Sequence, residues 1–450
     1  MTSPLRVAII GAGPAGIYAG DLLTKAHAEV DIFEHLPAPF GLVRYGVAPD
    51  HPRIKQIILA LHKILSHHQV RLFCNVNYGV DITLPELEKY YDAVIFATGT
   101  IKDAPSNLPG VDLPGSFGAA DFVSWYDGHP DVPRTWPLEA AEVAVIGAGN
   151  VALDVARILA KSADDLHVTE IPDNVYDGLK SSPVTDVHLF ARRGPAQAKF
   201  TPLELRELGQ VPGVDIVVYP EDFEFDDGSL AAIEESNQTK QVVKTLTDWT
   251  LIDPASQHAP RRIHLHFLWN PVDIIGPDRV TGIKAERMEL TGDGSVRGTG
   301  EFEVWPVQAV YRAIGYFGSP AAGVPFDEVK GVIPNAGGRV TSADGAQVPR
   351  VYATGWIKRG PVGLIGSTKS DAQETVRNLL ADLGENRPAT QREPGDIVAY
   401  LNDKGINYLN WDDFERLDAH EMAAGAAQGR ERVKVVPRDE MIAISKGVAE

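Results

Sequence analysis

The chain is poor in cysteine, in basic residues and in long apolar runs, and each shortage excludes a class of protein. Its 450 residues contain one cysteine, Cys74, so it has neither an internal disulfide nor a Cys-x-x-Cys pair for disulfide-reductase chemistry. An iron–sulfur cluster, which needs several cysteine ligands, is excluded as well. No apolar stretch approaches the roughly 18 residues of a membrane span. Lysine and arginine number 42 against 61 aspartate and glutamate, and this net charge of −19 argues against nucleic acid as a partner.

Further shortages narrow the expectations. The 13 histidines show no His-x₃-His spacing, and His67 and His68 are adjacent, so we predict no metal site. The first apolar run begins at Val7, which leaves no room for a targeting peptide, and we expect a cytoplasmic protein unless a presequence has been removed. We predict that Cys74 is a small buried apolar residue.

Two Gly-rich fingerprints for dinucleotide binding lie about 136 residues apart. The first follows the apolar run Val7–Ile10 and places Gly11, Gly13 and Gly16 in the pattern G-x-G-x-x-G. These glycines allow a tight turn, close approach of a pyrophosphate to the backbone, and close packing of the helix that follows. The next predicted strand, residues 29–35, carries Glu34, an acid suited to bind ribose hydroxyls. This order of elements predicts an FAD site.

The second fingerprint, residues 143–156, leads to a different strand end. Ala152 replaces the third glycine, and the next predicted strand, residues 186–194, carries Arg192 and Arg193 instead of an acid. Paired guanidinium groups suit the 2′-phosphate of NADP, although a solvated basic turn is the alternative. Two unequal fingerprints predict that two dinucleotides meet in one enzyme, as when electrons pass from a nicotinamide to a flavin.

The pattern along the chain predicts an α/β protein with two Rossmann-like domains, one inserted in the other. We expect, in order, the first part of an FAD domain, an NADP domain, and the second part of the FAD domain with a helical tail: residues 1–104, 105–318 and 319–450. Within the inserted domain, residues 105–142 are predicted to be a connection and residues 222–262 to be surface loops or a hairpin. Residues 348–383 are predicted to return to the first domain as a strand, a Gly-rich loop and a helix.

Two loops carry residues suited to flavin chemistry. Residues 37–55 directly follow the ribose acid and are placed to run along a flavin, and His51 within them is suited to relay protons. A functionless Ω-loop and a structural histidine are the alternatives. Residues 356–372 place Trp356 and backbone N–H groups before a helix, where they would stabilise negative charge on a reduced flavin. An ordinary Gly-rich turn is the alternative.

Charged residues in the second half of the chain have two interpretations each. Residues 199–209 predict a helix with Glu204 and Glu207 near one face, either functional or solvated. Two pairs of cations are Lys240 with Lys244 and Arg261 with Arg262. They form either a basic patch that binds an acidic electron carrier or ordinary solvated surface charge.

Seven segments, in the right order over roughly residues 5–383, carry a family resemblance. They are GAGPAG, FGLVRYGVAPDHP, YDAVIFATG, GNVALDVARIL, ARRGP, TPLELREL and ATGWIKRGPVGLIG. In these the chain resembles the adrenodoxin reductase-type NADPH–ferredoxin reductases, the group that includes the bacterial FprA-like enzymes. The resemblance implies a glutathione-reductase-like fold of two domains, FAD and NADP(H) as cofactors, and electron delivery to a ferredoxin-type iron–sulfur protein.

The resemblance also implies roles for individual residues. FAD would contact Gly11, Gly13, Ala15, Gly16, Glu34, Leu42, the stretch from Val76 to Tyr78, Trp356, Gly363, Leu364 and Ile365. NADP would contact Ala148, Gly149, Asn150, Val151, Arg192, Arg193 and Glu204, with Gly363 near the nicotinamide. His51 and Glu207 correspond to the family's polar pair beside the nicotinamide. The run Thr354-Gly355-Trp356 departs from the Gly-Asp of wider glutathione-reductase relatives but matches this family.

The reaction that the resemblance implies is hydride transfer from NADPH to FAD, followed by two single-electron transfers to the partner, in an enzyme expected to be a monomer. A flavin-dependent monooxygenase or an NADPH diaphorase is the alternative, and a non-catalytic NADP(H) sensor is a third possibility. The Phe-x-Gly run of the monooxygenases is not evident between the fingerprints. An amino-acid synthase subunit would need cysteine-rich cluster motifs, which one cysteine does not supply.

Overall fold

The computed structural model describes residues 4–363, 365–383 and 395–448 and divides the chain into two compact units. Unit 1 contains Met1–Lys102, Asp127–Asp131 and Tyr316–Glu450, and unit 2 contains Asp103–Tyr126 and Val132–Gly315. Unit 2 is therefore inserted in unit 1. The return of Asp127–Asp131 to unit 1 has no counterpart in the predicted domain limits.

Unit 1 is built on a seven-stranded sheet. Its strands are β1 (Arg6–Ile10), β2 (Glu29–Glu34), β3 (Val70–Cys74), β4 (Ala93–Phe96), β16 (Asn335–Ala336), β17 (Arg339–Thr341) and β18 (Gln347–Ala353). The order is β16-β17-β18-β4-β1-β2-β3, parallel from β18 to β3 with an antiparallel edge at β16 and β17. All five residues of β1 are buried, as expected for a central parallel strand. Cys74 is fully buried at the end of β3, as predicted, and burial raises the pKa of its thiol.

Helices cover this sheet. They are α1 (Pro14–Lys25), α2 (Leu42–Tyr45), α3 (Pro52–Lys55), α4 (Ile57–Leu65), α5 (Leu84–Leu87), α13 (Trp356–Arg359), α14 (Ile365–Leu383), α15 (Gly395–Asp403), α16 (Trp411–Ala426) and α17 (Arg438–Ser445). Leu23 of α1, Leu379 of α14 and Phe414 of α16 belong to one apolar core together with β1 and β2. The predicted strand, loop and helix after residue 348 thus return to the first sheet as β18 and α14.

Unit 2 is built on a six-stranded parallel sheet with a separate antiparallel sheet. The parallel strands are β6 (Ser116–Gly118), β7 (Glu142–Ile146), β8 (Asp186–Ala191), β9 (Val214–Val218), β10 (Arg261–Phe267) and β14 (Ala309–Arg312). Their order is β6-β14-β7-β8-β10-β9. The antiparallel strands, in the order β11-β12-β13, are β11 (Trp269–Ile275), β12 (Gly282–Leu290) and β13 (Val296–Trp305). The two-residue strands β5 (Lys102–Asp103) and β15 (Tyr316–Phe317) lie where the chain passes between units.

The helices of unit 2 are α6 (Ala119–Tyr126), α7 (Asn150–Ala160), α8 (Ala163–Leu166), α9 (Asp173–Lys180), α10 (Pro202–Leu208), α11 (Asp227–Glu235) and α12 (Asn237–Thr250). The short helices α8 and α9 occupy the long crossover from β7 to β8, and the two strands still pair directly. In the part of the chain that the structure describes, no helix has the length and apolar character needed to cross a membrane.

Two predictions for unit 2 are wrong. Residues 222–262 contain the helices α11 and α12 instead of loops or a hairpin. Asp226 and Ser236 accept the capping hydrogen bonds of these helices, and α12 buries Val242, Val243 and Leu246 at helical spacing, so capping and one narrow apolar stripe outweigh the polar composition. Residues 105–142 are not a mere connection, because they supply β6 and α6.

Three buried histidines lie side by side on β8 and β10. His188 pairs in register with His264, and its Nδ1 lies 3.0 Å from Nε2 of His266. Asp186 and Tyr219 bond the two nitrogens of His264, each at 2.9 Å, while Arg262 pairs with Asp186 and Glu142 lies 3.7 Å from His188. Burial lowers the pKa of His188 to about 4 and that of His266 to about 2, and it also lowers the pKa of His264.

We expect this histidine cluster to make the protein less stable in mild acid. Because the folded state binds fewer protons than the unfolded chain, stability is full above the unfolded histidine pKa of about 6.5 and falls as the pH drops below it. The loss by pH 4 is about 3 kcal/mol from His188 alone, at about 1.4 kcal/mol per pKa unit. Urea unfolding at several pH values should show a shallower decline for His266→Phe and an unchanged decline for the surface control His258→Phe. If stability declined equally with falling pH in wild type, His266→Phe and His258→Phe, the histidine cluster would not be the cause of the acid sensitivity.

Candidate functional site

The turn between β1 and α1 is tight at two glycines and open at the third. A Cβ on Gly11, whose φ is +110°, would lie 2.5 Å from the Ala97 carbonyl oxygen, and a Cβ on Gly16 would lie 2.1 Å from the Gly11 carbonyl oxygen. A Cβ on Gly13 would meet no atom within 4 Å. Gly13 is also the N-cap of α1, and no side chain caps this helix end. Open space before an uncapped helix N-terminus fits a pyrophosphate.

Glu34 ends the neighbouring strand β2 as a buried carboxylate. It accepts hydrogen bonds from the backbone N–H groups of Ala12 (2.8 Å) and Leu36 (3.0 Å), and Nδ1 of His35 lies 2.8 Å away. Burial alone would raise the pKa of Glu34, but His35 and these N–H groups outweigh burial and lower it. A carboxylate accepts up to about four hydrogen bonds, so an ionised Glu34 retains capacity for ribose hydroxyls.

The segment before Trp356 lies directly against the start of α1. A Cβ on Gly355, whose φ is +77°, would lie 2.5 Å from the Cβ of Ala15. Asp371 of α14 accepts a hydrogen bond from the Gly355 N–H at 2.5 Å and pairs with Lys358 at 3.0 Å. Trp356 is half-buried beside Tyr316. The structure therefore brings Trp356 to the same end of the sheet as the first glycine turn.

The other residues predicted to contact FAD also lie in unit 1. The Val76 N–H donates to the Glu34 carbonyl at 2.9 Å, and the Tyr78 hydroxyl donates to the Ala322 carbonyl at 2.6 Å. Leu42 is the first residue of α2, Gly363 is exposed with a φ of +86°, and Ile365 is the first residue of α14. Leu364 lies outside the described residues. The FAD contacts of this group stay predictions.

The turn between β7 and α7 repeats the open geometry in unit 2. A Cβ on Gly149 would meet no atom within 4 Å, and no side chain caps α7. The Lys199 N–H donates to the Ala148 carbonyl at 2.8 Å, and Oδ1 of Asn150 accepts from the Thr201 N–H at 2.9 Å. These bonds fix the turn to the segment before α10. Val151 follows in the first turn of α7, half-buried. This helix end also fits a pyrophosphate.

Arg192 and Arg193 follow the last residue of β8, and both are exposed. Since β7 and β8 are parallel neighbours, the arginines lie at the same sheet edge as the Gly149 turn. Within residues 4–363, 365–383 and 395–448, neither guanidinium has an ion pair or hydrogen bond. Two unpaired guanidinium groups beside a pyrophosphate site suit a phosphate on the adjacent ribose.

The residues predicted to act near the nicotinamide occupy different elements. Thr201 caps α10 by accepting from the Glu204 N–H at 3.4 Å. The Glu204 carboxylate is buried 3.9 Å from Arg157, and Glu207 lies on the same helix, half-buried. His51 is buried in unit 1 and is the N-cap of α3. The NADP contact of Glu204 and the catalytic roles of His51 and Glu207 stay predictions.

Comparisons with known proteins show which family this chain resembles. The family model described as pyridine nucleotide-disulphide oxidoreductase matches residues 5–187. The chain is 41% identical to NADPH-ferredoxin reductase FprA of Mycobacterium tuberculosis, covering 99% of this chain and 100% of that protein. It is 37% identical to the mitochondrial NADPH:adrenodoxin oxidoreductase of Arabidopsis thaliana, covering 98% and 95%. The solved structure of Mycobacterium tuberculosis FprA in complex with NADPH superposes with a TM-score of 0.91 at 40% identity, covering 99% and 100%.

The chain belongs to the adrenodoxin reductase-type NADPH–ferredoxin reductase family. The predicted family and the predicted fold, two Rossmann-like domains of α/β architecture, are confirmed. The description of the family model refers to disulphide chemistry. This chain has one cysteine, Cys74, and therefore has no internal dithiol.

Sequence reasoning missed a buried charge network in this reductase-family chain. The Arg44 guanidinium of α2 pairs with Glu421 of α16 at 2.5 Å, and both side chains are buried. Nζ of Lys434 donates to the carbonyls of Arg44 (2.7 Å) and Asp127 (3.0 Å). The tail thus holds the loop that follows Glu34. One signal was present: Glu421 continues the apolar stripe of Phe414 and Leu417, and an acid on a core-facing stripe indicates a buried partner.

The interpretation of four cations as a basic docking patch is not supported in this reductase-family member. Lys244 pairs with Asp248 one turn along α12, and Arg262 pairs with Asp186. Nη1 of Arg261 donates to two backbone carbonyls at the end of α7. Only Lys240 of the four is a simple exposed charge.

Proposed function

We propose that this protein is a flavin-dependent NADPH–ferredoxin reductase, which takes a hydride from NADPH onto bound FAD and passes electrons singly to a ferredoxin-type iron–sulfur protein. The observation that carries this proposal is the pair of uncapped helix N-termini: one lies beside the buried acid Glu34, and the other beside the exposed Arg192 and Arg193. The names of full-length relatives support the same reaction.

FAD is held in unit 1 in this proposal. The N-terminus of α1 binds the pyrophosphate through Gly13, Ala15 and Gly16, and Glu34 accepts the ribose hydroxyls. Leu42, Val76 and Tyr78 line the same cofactor, as do Trp356 and the Gly363–Ile365 backbone. When bound, FAD supplies a ring system that accepts a hydride and releases electrons one at a time.

NADP(H) is held in unit 2. The N-terminus of α7 binds its pyrophosphate through the segment from Ala148 to Val151, and Arg192 and Arg193 bind the 2′-phosphate. Because the reaction needs no covalent intermediate, these residues act by orientation and charge. Glu204 completes the site. From the family resemblance, we propose nicotinamide roles for three further residues: Gly363 as a contact, and His51 and Glu207 as groups that tune charge and proton movement.

The proposal also covers the electron acceptor, which is an iron–sulfur protein, and the oligomeric state and cellular location of the enzyme. We propose that the protein is a monomer with a cytoplasmic location. Light scattering of the purified protein should give a mass near 48.7 kDa, whereas twice that mass would contradict the monomer. Cell fractionation tests the location.

Gly13→Ala is expected to weaken FAD binding without harming the fold. The added methyl would meet no protein atom, and the φ of −76° at Gly13 suits alanine, but the methyl would occupy the space proposed for the pyrophosphate. A loss of about 1.4 kcal/mol or more is expected, at least tenfold in Kd, by flavin titration of apoprotein. Gly20→Ala, also in α1 with ordinary contacts from 3.5 Å, is the matched control. Wild-type FAD affinity in Gly13→Ala would contradict the pyrophosphate placement.

A panel of electron acceptors tests the overall reaction. NADPH oxidation by the purified holoprotein should be fast with a ferredoxin and slow with oxygen alone. Turnover with ferricyanide but with no ferredoxin would favour a diaphorase. Rapid oxygen consumption tied to hydroxylation of a substrate would favour a monooxygenase, and absence of turnover with every acceptor would favour a sensor.

A further inference from the structure

Three potential metal ligands from two separate segments meet on unit 1, outside the residues proposed to hold the cofactors. His35 follows β2, and His129 and Asp131 belong to the short segment Asp127–Asp131. One ligand atom from each of the three lies within 4.8 Å of the other two. The side chains of His35 and Asp131 are 44% and 43% exposed, so solvent ions reach them.

Each of the three side chains is already oriented by a neighbour. Nδ1 of His35 lies 2.8 Å from Glu34, which leaves Nε2 for a metal. Nδ1 of His129 accepts a hydrogen bond from the Asp131 N–H at 3.2 Å, which likewise leaves Nε2. A carboxylate that bonds the second nitrogen of a ligating histidine is a common arrangement around protein-bound zinc.

Arg438 of α17 fixes the third ligand and the spacing of the cluster. Its guanidinium binds Asp131 through three contacts of 2.8–3.0 Å and also donates to the His35 carbonyl at 2.9 Å. Since a carboxylate offers about four acceptor sites, Asp131 keeps a lone pair for a metal while Arg438 holds it. The carboxylates of Glu34 and Asp131 supply two negative charges against the charge of Arg438.

The geometry points to a metal site formed by His35, His129 and Asp131. It would bind a divalent metal ion of intermediate hardness, and Zn²⁺ is the ion to be tested. Two imidazoles and one carboxylate are a donor set that Zn²⁺ accepts, with water completing the tetrahedron. Mg²⁺ and Ca²⁺ prefer oxygen donors and are not expected to bind. The bound metal would fasten the Asp127–Asp131 segment to the end of β2. The sequence prediction of no metal site relied on local histidine spacing, which does not detect ligands 94 and more residues apart.

The test uses tag-free holoprotein stripped with a chelator and titrated with ZnCl₂ by calorimetry. Wild type is expected to bind one Zn²⁺ that His129→Gln and His35→Gln lose, or bind at least about tenfold more weakly, while the exposed control His258→Gln keeps it. Zn²⁺ should also raise the Tm of wild type and His258→Gln in a concentration-dependent way, and not that of the two cluster variants.

A second probe covers the case in which a cluster variant is poorly folded. Co²⁺ added to folded wild-type protein should give the intense visible bands of a four-coordinate site, and addition of one equivalent of Zn²⁺ should abolish them. Absence of Zn²⁺ binding to wild type, or equal binding in His35→Gln and His129→Gln, would overturn the site.

Discussion

Replacing Arg192 and Arg193 together with alanine is expected to raise the KM for NADPH by one to two orders of magnitude while leaving the KM for NADH nearly unchanged. Both guanidinium groups are exposed at the end of β8, beside the Gly149 turn, and neither has a partner among the described residues. A charge-assisted hydrogen bond to phosphate contributes about 1–3 kcal/mol, and about 1.4 kcal/mol corresponds to a factor of ten. NADH lacks the phosphate, so it loses none of these contacts.

The control for this experiment is another arginine of unit 2. Arg279 is exposed and pairs with Glu139, which precedes β7, so Arg279→Ala removes one positive charge near the opposite end of β7 from the Gly149 turn. Steady-state kinetics with both nucleotides should show wild-type selectivity for Arg279→Ala. Equal losses for NADPH and NADH in the double variant would show that the arginine pair does not bind the 2′-phosphate.

Glu421→Ala is expected to give the largest loss of stability of any change considered for the tail. Its carboxylate is fully buried and is the ion-pair partner of buried Arg44, and it also accepts the Val435 N–H at 3.0 Å. Removing one member of a buried pair leaves an uncompensated charge and costs about 3–5 kcal/mol. Because Arg44 lies on the loop proposed to line the flavin, we expect the variant to lose FAD as well. Urea unfolding and flavin content after gel filtration measure the two effects.

Two further variants separate the buried charge from general damage to the tail. Glu415→Ala removes an exposed acid from the same helix, where it lies 4.0 Å from His62, and should cost less than about 1 kcal/mol. The double variant Arg44→Met with Glu421→Met leaves no orphan charge at this pair and should recover part of the lost stability. If Glu421→Ala were as stable as Glu415→Ala, the buried pair of Arg44 and Glu421 would have no structural role.

The parts of the molecule that the sequence predicts are those encoded locally. The glycine turns, Glu34 and the Arg192–Arg193 pair each follow a strand within one β-α-β unit, so their spacing along the chain fixes their positions in the sheet. For the same reason the sequence correctly predicts that the strand ending at Arg192 and Arg193 follows the second glycine turn, even though α8 and α9 lengthen the crossover from β7 to β8.

The features that the sequence does not predict depend on pairs of residues far apart. Arg44 and Glu421 are separated by 377 positions, and no local pattern links them. Asp371 fixes Gly355 from the opposite side of the Gly-rich loop. The segment Asp127–Asp131 joins unit 1 although the chain on both sides of it belongs to unit 2. The helices α11 and α12 are not predicted for another reason: their polar composition is typical of surface loops, and their capping residues Asp226 and Ser236 are residue types that are also common in loops.

Anaerobic stopped-flow spectroscopy of the purified holoprotein tests the central claim most directly. Mixed with NADPH, the protein should lose the absorbance of oxidised flavin in a single fast phase, and a second mix with oxidised ferredoxin should restore that absorbance as the ferredoxin becomes reduced. NADH at the same concentration should act far more slowly. A protein that carries no flavin, or whose flavin is bleached by NADPH but is not reoxidised by any ferredoxin, would contradict the account.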